Sequence, residues 1–322
     1  MTDLRQKLYR MFILGLEGGG YAEGLKNGLG GIIFFTKDIQ SVEQFKSLTE
    51  KCKSFAPSKI FLSIDQEGGR VERTENIHHG KKYLSAKFAY EKGADFLAKQ
   101  TGEIAQELKS YGINLNFAPC IDVNTNPQNP IIGERSFSNN PDEVSKCGKI
   151  VAQIYRQNGI VPCAKHFPGH GDANSDSHLT LPKIDLDFEN LKQNHIKPFK
   201  SMIDDGIEMI MAAHLYIPYL SDGENIPTSL SKRALDYLRK SLGFNGVIIS
   251  DDMVMKGVAG FGPVKACEMG IRAGIDMFIY RNSTPDTIEI IEKLYEIALH
   301  DSEMTEKIDK AYERISTLLS NY

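Results

Sequence analysis

SKRALDYLRKSLGFNGVIISDD, residues 231–252, holds the unit that decides the fold. Ser231 stands where a helix N-cap belongs, and Leu235, Leu238 and Leu242 follow on one helical face. Gly243 is a helix stop. The run Gly246-Val247-Ile248-Ile249 then ends in Ser250-Asp251-Asp252. The run does not alternate apolar with polar, as expected for a parallel strand covered on both faces.

The same step recurs in both directions from there. Strands are expected over 11–17, 31–35, 59–65, 113–119, 160–166, 209–215, 246–252 and 277–280. Helical patterns separate them. Asn140 caps one helix, Pro141 takes its first turn, and Glu143 sits three residues after the cap. Val144, Cys147, Val151, Ile154 and Tyr155 follow at helical spacing, and Gly159 closes the pattern. Eight strand–helix steps predict an α/β chain folded as a single (β/α)8 TIM-type barrel over residues 1–322. An open doubly wound sheet is the alternative on pattern alone. No Gly-, Pro- or Ser-rich linker interrupts the chain, and a second domain has no room.

Composition narrows the function classes. The chain has 322 residues, a net charge of −4, 41% hydrophobic and 25% charged residues. Without a block of Lys and Arg it offers no footprint for nucleic acid or an anionic membrane surface. No apolar run is long enough to span a bilayer, and the first ten residues lack the apolar stretch of a signal peptide. A cytoplasmic protein, monomer or weak homodimer, is the expectation. Cys52, Cys120, Cys147, Cys163 and Cys267 are widely spaced without a Cys-x-x-Cys pair, so they read as buried free thiols.

The polar residues fall at strand ends. Asp65, Asp122, His166, His214 and Asp251-Asp252 each close an apolar run, which aims them at the mouth of a barrel, where such folds carry chemistry. One such ending is readily structural; five around one ring are costly unless used. After strand five comes Lys165-His166-Phe167-Pro168-Gly169-His170-Gly171, and then Asp176-Ser177-His178. Asp176 and His178 can hydrogen-bond if the loop folds back, a pairing suited to a general acid and base. Alternation along strand seven lets one of Asp251 and Asp252 enter the site while the other supports the loop; periodicity does not decide between them, and Asp251 is assigned to the site. Two further segments belong to the rim: Asp65-Gln66-Glu67-Gly68-Gly69-Arg70-Val71-Glu72-Arg73, and Gly133-Glu134-Arg135-Ser136-Phe137. Their arginines suit bidentate recognition, although each alone reads as a surface or ion-pair Arg.

Taken in order, these segments resemble glycoside hydrolase family 3, in the branch of bacterial β-N-acetylhexosaminidases that recycle cell-wall fragments. The resemblance runs from about Phe12 to Asn282. It implies that Asp251 is the nucleophile, that His178 is the acid/base and that Asp176 is its partner. Sugar binding carries over to Asp65, Arg73, Arg135, Lys165 and His166, and to His214 near the sugar. Met253 stands where Leu is often found after the Asp-Asp pair, a small departure. Many members add a sandwich domain that supplies a Glu acid/base; this chain has no room for one, so the His dyad is needed.

The resemblance therefore implies a retaining hydrolase acting through a covalent glycosyl-enzyme, with no cofactor and a small carbohydrate as its partner. A phosphorylase, in which phosphate intercepts the same intermediate, is the alternative within carbohydrate chemistry. A metallohydrolase would draw on His166, His170, His178, His214 and Asp251, but the His-x-x-x-His spacing lies in a Pro-Gly loop and not on a helix. A non-catalytic sugar-binding protein would lack the nucleophile or the dyad, and both are present.

Overall fold

The computed structural model describes residues 3–78, 81–173 and 181–322. Eight strands form a closed parallel barrel in chain order: β1 (Phe12–Glu17), β2 (Gly31–Phe34), β3 (Phe61–Ile64), β4 (Leu115–Asn116), β5 (Val161–Phe167), β6 (Met209–Ala212), β7 (Val247–Asp252) and β8 (Met277–Asn282). Each falls within or overlaps the run read from sequence. The open sheet is excluded because β1 pairs with β8, Phe12 against Phe278 and Ile13 against Ile279. The middles of the strands are buried throughout, which explains why their sequences do not alternate.

Local signals set the helices. Asn140 accepts the N–H groups of Asp142 and Glu143, so the Pro141–Gln157 helix starts capped, a contribution of about 1 kcal/mol. It buries Val144, Cys147, Val151, Ala152 and Tyr155 against the barrel. Ser231 caps the next case by accepting the Ala234 N–H. There the α-helix runs only over Lys232–Asp236 and widens to π geometry over Tyr237–Ser241. Arg239 leaves that widened turn to donate to the carbonyls of Phe244 and Gly246 at the approach to β7.

β4 is much shorter than the seven-residue run read from sequence. Two residues explain this. The Asn116 side chain replaces the ladder on one side: its oxygen accepts the Gln66 N–H at 2.9 Å and its amide donates to the Gln66 carbonyl at 2.9 Å. Pro119 has no N–H with which to continue the ladder.

Three pairings slip by one residue, each toward the C-terminal end of the strand that carries the extra residue. Ala164 to Phe167 on β5 faces Ile210 to Ala212 on β6; Ile249 to Asp252 on β7 faces Met277 to Ile279; Leu14 to Glu17 on β1 faces Tyr280 to Asn282. Each is a β-bulge, which bends a strand and re-aims its side chains. Two of them hold Lys165, His166 and Asp251.

All five cysteines are buried free thiols. Among the described residues no helix is long and apolar enough to cross a membrane.

Candidate active site

A cleft of about 540 Å³ opens at the C-terminal end of the barrel. Asp65, Arg73, Arg135, Lys165, His166, His170 and Asp251 all line it, with Phe35, Met211 and Met255 as apolar wall. Asp65 stands one residue past β3, Lys165 and His166 lie on the bulge of β5, and Asp251 lies on the bulge of β7. The loop after β5 turns at Gly169, whose φ of +127° favours glycine, and a Cβ on Gly171 would lie 1.7 Å from the Val123 carbonyl oxygen.

A chain of alternating charges runs under the cleft. Lys165 Nζ lies 2.7 Å from Asp65 Oδ1 and 2.6 Å from Glu67 Oε1. Glu67 also receives a two-pronged bond from Arg135, Nε at 2.9 Å and Nη2 at 2.8 Å. Arg135 Nη2 lies 3.3 Å from His166 Nε2, and His166 Nδ1 lies 2.6 Å from Asp122 Oδ2. Burial would raise the Glu67 carboxyl, but Arg135 and Lys165 outweigh it and hold it below the usual carboxylate range. Burial would likewise lower Lys165; Asp65 and Glu67 reverse this and keep it a firm cation.

Asp251 is a cleft carboxylate without a partner of opposite charge among the described residues. Oδ1 accepts the Asp252 N–H at 2.7 Å, and among the described residues no cationic nitrogen lies within 4 Å. Burial pushes its carboxyl up; the fields of His166, His214 and Lys165 and the Asp252 N–H bring it below its ordinary value. It is thus an ionised, lightly held carboxylate on the cleft wall. Asp252 does the other job. It accepts the Val254 N–H at 3.1 Å and pairs with Arg281, which anchors the loop to β8. Burial raises Asp252, with Arg281 opposing.

Arg73 also lines the cleft, its guanidinium 5.9 Å from the centre of the Phe35 ring. Among the described residues it has no carboxylate partner, and its buried Nε has no hydrogen bond. Arg70, by contrast, turns to the carbonyls of Pro130 and Ile131.

His214 does not line the cleft. Its Nδ1 meets Ser229 Oγ at 2.7 Å and its Nε2 meets the Asp252 carbonyl at 3.2 Å, so both ring nitrogens are engaged inside the protein. It supports the strand end that carries Asp251. His178 and Asp176 lie outside the described residues.

Three residues with no assigned role emerge. Glu67 joins Lys165 to Arg135; it sits two residues after Asp65, and only that proximity hinted at it. Asp122 is fully buried beneath His166. His170 lines the cleft beside His166, ring centres 5.9 Å apart. Burial lowers its imidazole to about 4, so it is neutral near pH 7.

Among the described residues, Cys120, Asp122 and His166 bring a thiol, a carboxylate and an imidazole within 4.8 Å of one another. These atoms already satisfy each other: the thiol lies 3.3 Å from Asp122 Oδ2, and burial raises it well above its ordinary value, which leaves it protonated. That disposition is a hydrogen-bond cluster rather than a set of open metal ligands.

Residues 21–318 match the model of the Glycosyl hydrolase family 3 N terminal domain. The chain is 39% identical over 269 residues to beta-hexosaminidase A of Pseudoalteromonas piscicida, covering 77% of this chain and 45% of that protein. It is 33% identical over 281 residues to a beta-hexosaminidase of Neisseria meningitidis serogroup B, covering 85% of this chain and 76% of that one. The chain therefore spans under half the length of the first relative and about three quarters of the second. Its fold is similar to a solved glycoside hydrolase family 3 beta-N-acetylglucosaminidase from Paenibacillus sp. FPU-7, with a TM-score of 0.93 and 28% identity, over 100% of this chain and 63% of that one.

Proposed function

Because the chain belongs to glycosyl hydrolase family 3, we propose that it is a retaining β-N-acetylhexosaminidase that removes terminal non-reducing N-acetylglucosamine. The observation that carries this reading is Asp251: an ionised carboxylate on the wall of a polar cleft with no cation in contact among the described residues. Its lone pairs are available for attack, unlike those of Glu67 or Asp122.

The sugar's hydroxyls meet the donors Lys165, Arg135 and Arg73 and the acceptor Asp65. Asp251 attacks the anomeric carbon as the bond to the leaving oxygen breaks, and a covalent glycosyl-enzyme forms. His178, oriented by Asp176, gives its proton to the leaving oxygen. In the second half it takes a proton from water, which attacks the same carbon from the face the leaving group vacated. Configuration is retained overall. The names of the relatives support the preference for a 2-acetamido sugar; the cell-wall muropeptide aglycone rests on the resemblance alone. A single barrel domain acting in the cytoplasm is part of the same reading.

The test compares the protein with its Asp251→Ala variant on 4-nitrophenyl N-acetyl-β-glucosaminide and on the β-glucoside, with and without phosphate. Proton NMR follows the anomeric product. Release from the acetamido sugar with retention, lowered on the order of 10⁴-fold in the variant, supports the reading. Inversion would remove the covalent step. Phosphate stimulation with a sugar 1-phosphate product would make the protein a phosphorylase.

A further inference from the structure

We propose that Asp122 is a positioning residue that fixes the tautomer of His166 and so makes His166 a hydrogen-bond acceptor in the cleft. The proposal deepens the carbohydrate reading above and rests on it for the nature of the group that His166 meets.

Asp122 has no exposed surface. Its Oδ1 accepts the His170 N–H at 2.6 Å, and both oxygens stand 3.2 Å from the His166 N–H. Its Oδ2 faces His166 Nδ1 at 2.6 Å and the Cys120 thiol at 3.3 Å. Every neighbour is a donor or can be one, so the carboxyl has no place for a proton of its own. An acceptor-only group at 2.6 Å requires that Nδ1 carry hydrogen.

The other ring nitrogen faces a different constraint. His166 Nε2 lies 3.3 Å from Arg135 Nη2. A guanidinium has five N–H groups and no lone pair, so Nε2 must accept. A doubly protonated ring would set N–H against N–H. Arg135 cannot turn away cheaply, because Glu67 holds it through two bonds. Asp122 on one side and Arg135 on the other therefore select the neutral Nδ1–H form.

The chemical consequence is a matched pair of grips. A hydroxyl both donates and accepts. Lys165 Nζ beside Asp65 Oδ1 offers one donor and one acceptor 2.7 Å apart. Arg135 Nη2 and His166 Nε2 form a second such couple across a bond of 3.3 Å: a hydroxyl that displaces this bond accepts the Nη2 N–H and donates to Nε2, but only while Nε2 keeps its lone pair. A ligand with two neighbouring hydroxyls fills both. With the other tautomer the second couple becomes two donors, and one hydroxyl cannot satisfy it.

Asp122→Asn tests the idea with little change of shape. The remaining oxygen can still take the His170 N–H, but an NH2 group now faces Nδ1, and the ring must protonate at Nε2. The measurement is the ¹⁵N shift pair of His166, assigned by loss of signal in His166→Gln and recorded at about pH 8, where a free imidazole is neutral. Expected is a protonated Nδ1 and a bare Nε2 in the native protein, the reverse in Asp122→Asn, and a rise of about 10- to 100-fold in KM for the acetamido glycoside. A merely structural role for Asp122 would not exchange the two nitrogens. Protonated Nε2 in the native protein overturns the proposal, and so does an exchanged tautomer with unchanged KM. If the variant does not fold, the native shifts decide alone, in the same sense. A native protein with protonated Nδ1 that cleaves no hexosaminide supports the proposal and removes the reading of the function on which the substrate rests.

Discussion

Two buried ion clusters sit at opposite ends of one barrel, and they differ in what they leave unfinished. At the N-terminal end, Asp276 precedes β8 and is 1% exposed. Its Oδ1 takes Arg314 at 2.8 Å; its Oδ2 takes Arg239 and the Ile248 N–H. Arg239 spends further N–H groups on the Phe244 and Gly246 carbonyls. This cluster ties the C-terminal Ser302–Asn321 helix to β7 and β8 and has little left to bind anything else. At the C-terminal end Lys165 is as buried, also at 1%, yet two carboxylates engage only part of its three-donor head. Among the described residues, Asp65 keeps a free oxygen, Arg73 has no carboxylate and Asp251 meets no cation. Buried charge is thus no mark of function by itself. Unused hydrogen-bonding capacity facing a cleft is.

The sharpest way to break this contrast is to neutralise one acid in each cluster. Asp276→Asn leaves two arginines under-compensated and is expected to cost about 3–5 kcal/mol of stability, read by urea melts. Activity per folded molecule should stay within about twofold. Glu67→Gln should cost a similar amount of stability, and in addition roughly 100-fold in kcat/KM, because Lys165 and Arg135 lose their aim. Equal activity in the two folded variants would erase the distinction.

A smaller effect is expected at Arg73. Arg73→Met removes a cation that no carboxylate among the described residues balances. Melting should be unchanged or up by about 1 kcal/mol, while KM rises roughly tenfold. A marked loss of stability would mean that Arg73 belongs with the structural ions.

The last effect concerns pH. His170 is held at about 4 in the folded protein, against about 6.5 for a free imidazole. Between these values the unfolded chain binds the extra proton, so stability should fall as pH drops from about 6.5 to about 4, by at most a few kcal/mol. His195 and His214 are lowered by burial too and act in the same direction. The carboxylates Glu67 and Asp122 are depressed instead, so their contribution is lost only below about 4. Thermal melts across this range, with His170→Gln flattening part of the upper slope, separate the two sets.

Much of this was legible in the sequence, for a local reason. An apolar run reports a strand and its burial in one short stretch, and an Asp or His that closes it marks the end; all eight strands are legible as such runs, five of them so closed. The length of β4 was not, because it depends on Asn116 meeting Gln66, fifty residues earlier. The bulges were not, because a register slip is a property of two strands and each strand's sequence carries half of it. Glu67 went without a role since Arg135 lies 68 residues away. His214 and His166 both end apolar runs; only the fold shows that one ring reaches the cleft and the other is used up beneath Asp251.

The seam between β1 and β8 has a consequence for synthesis. Met11 gives its carbonyl to Phe278, and Glu17 gives its carbonyl to Ser283. A nascent chain that has made seven strands still carries β1 with one edge bare, and that edge is a template for any passing strand. The Leu4–Arg10 helix faces the same wait, since Arg5 and Lys7 pair with Glu292 and Asp309. This helix and β1 therefore leave the ribosome well before the residues that complete their pairing. A truncated product lacking β8 would be left with two open edges and a strong tendency to join its neighbours.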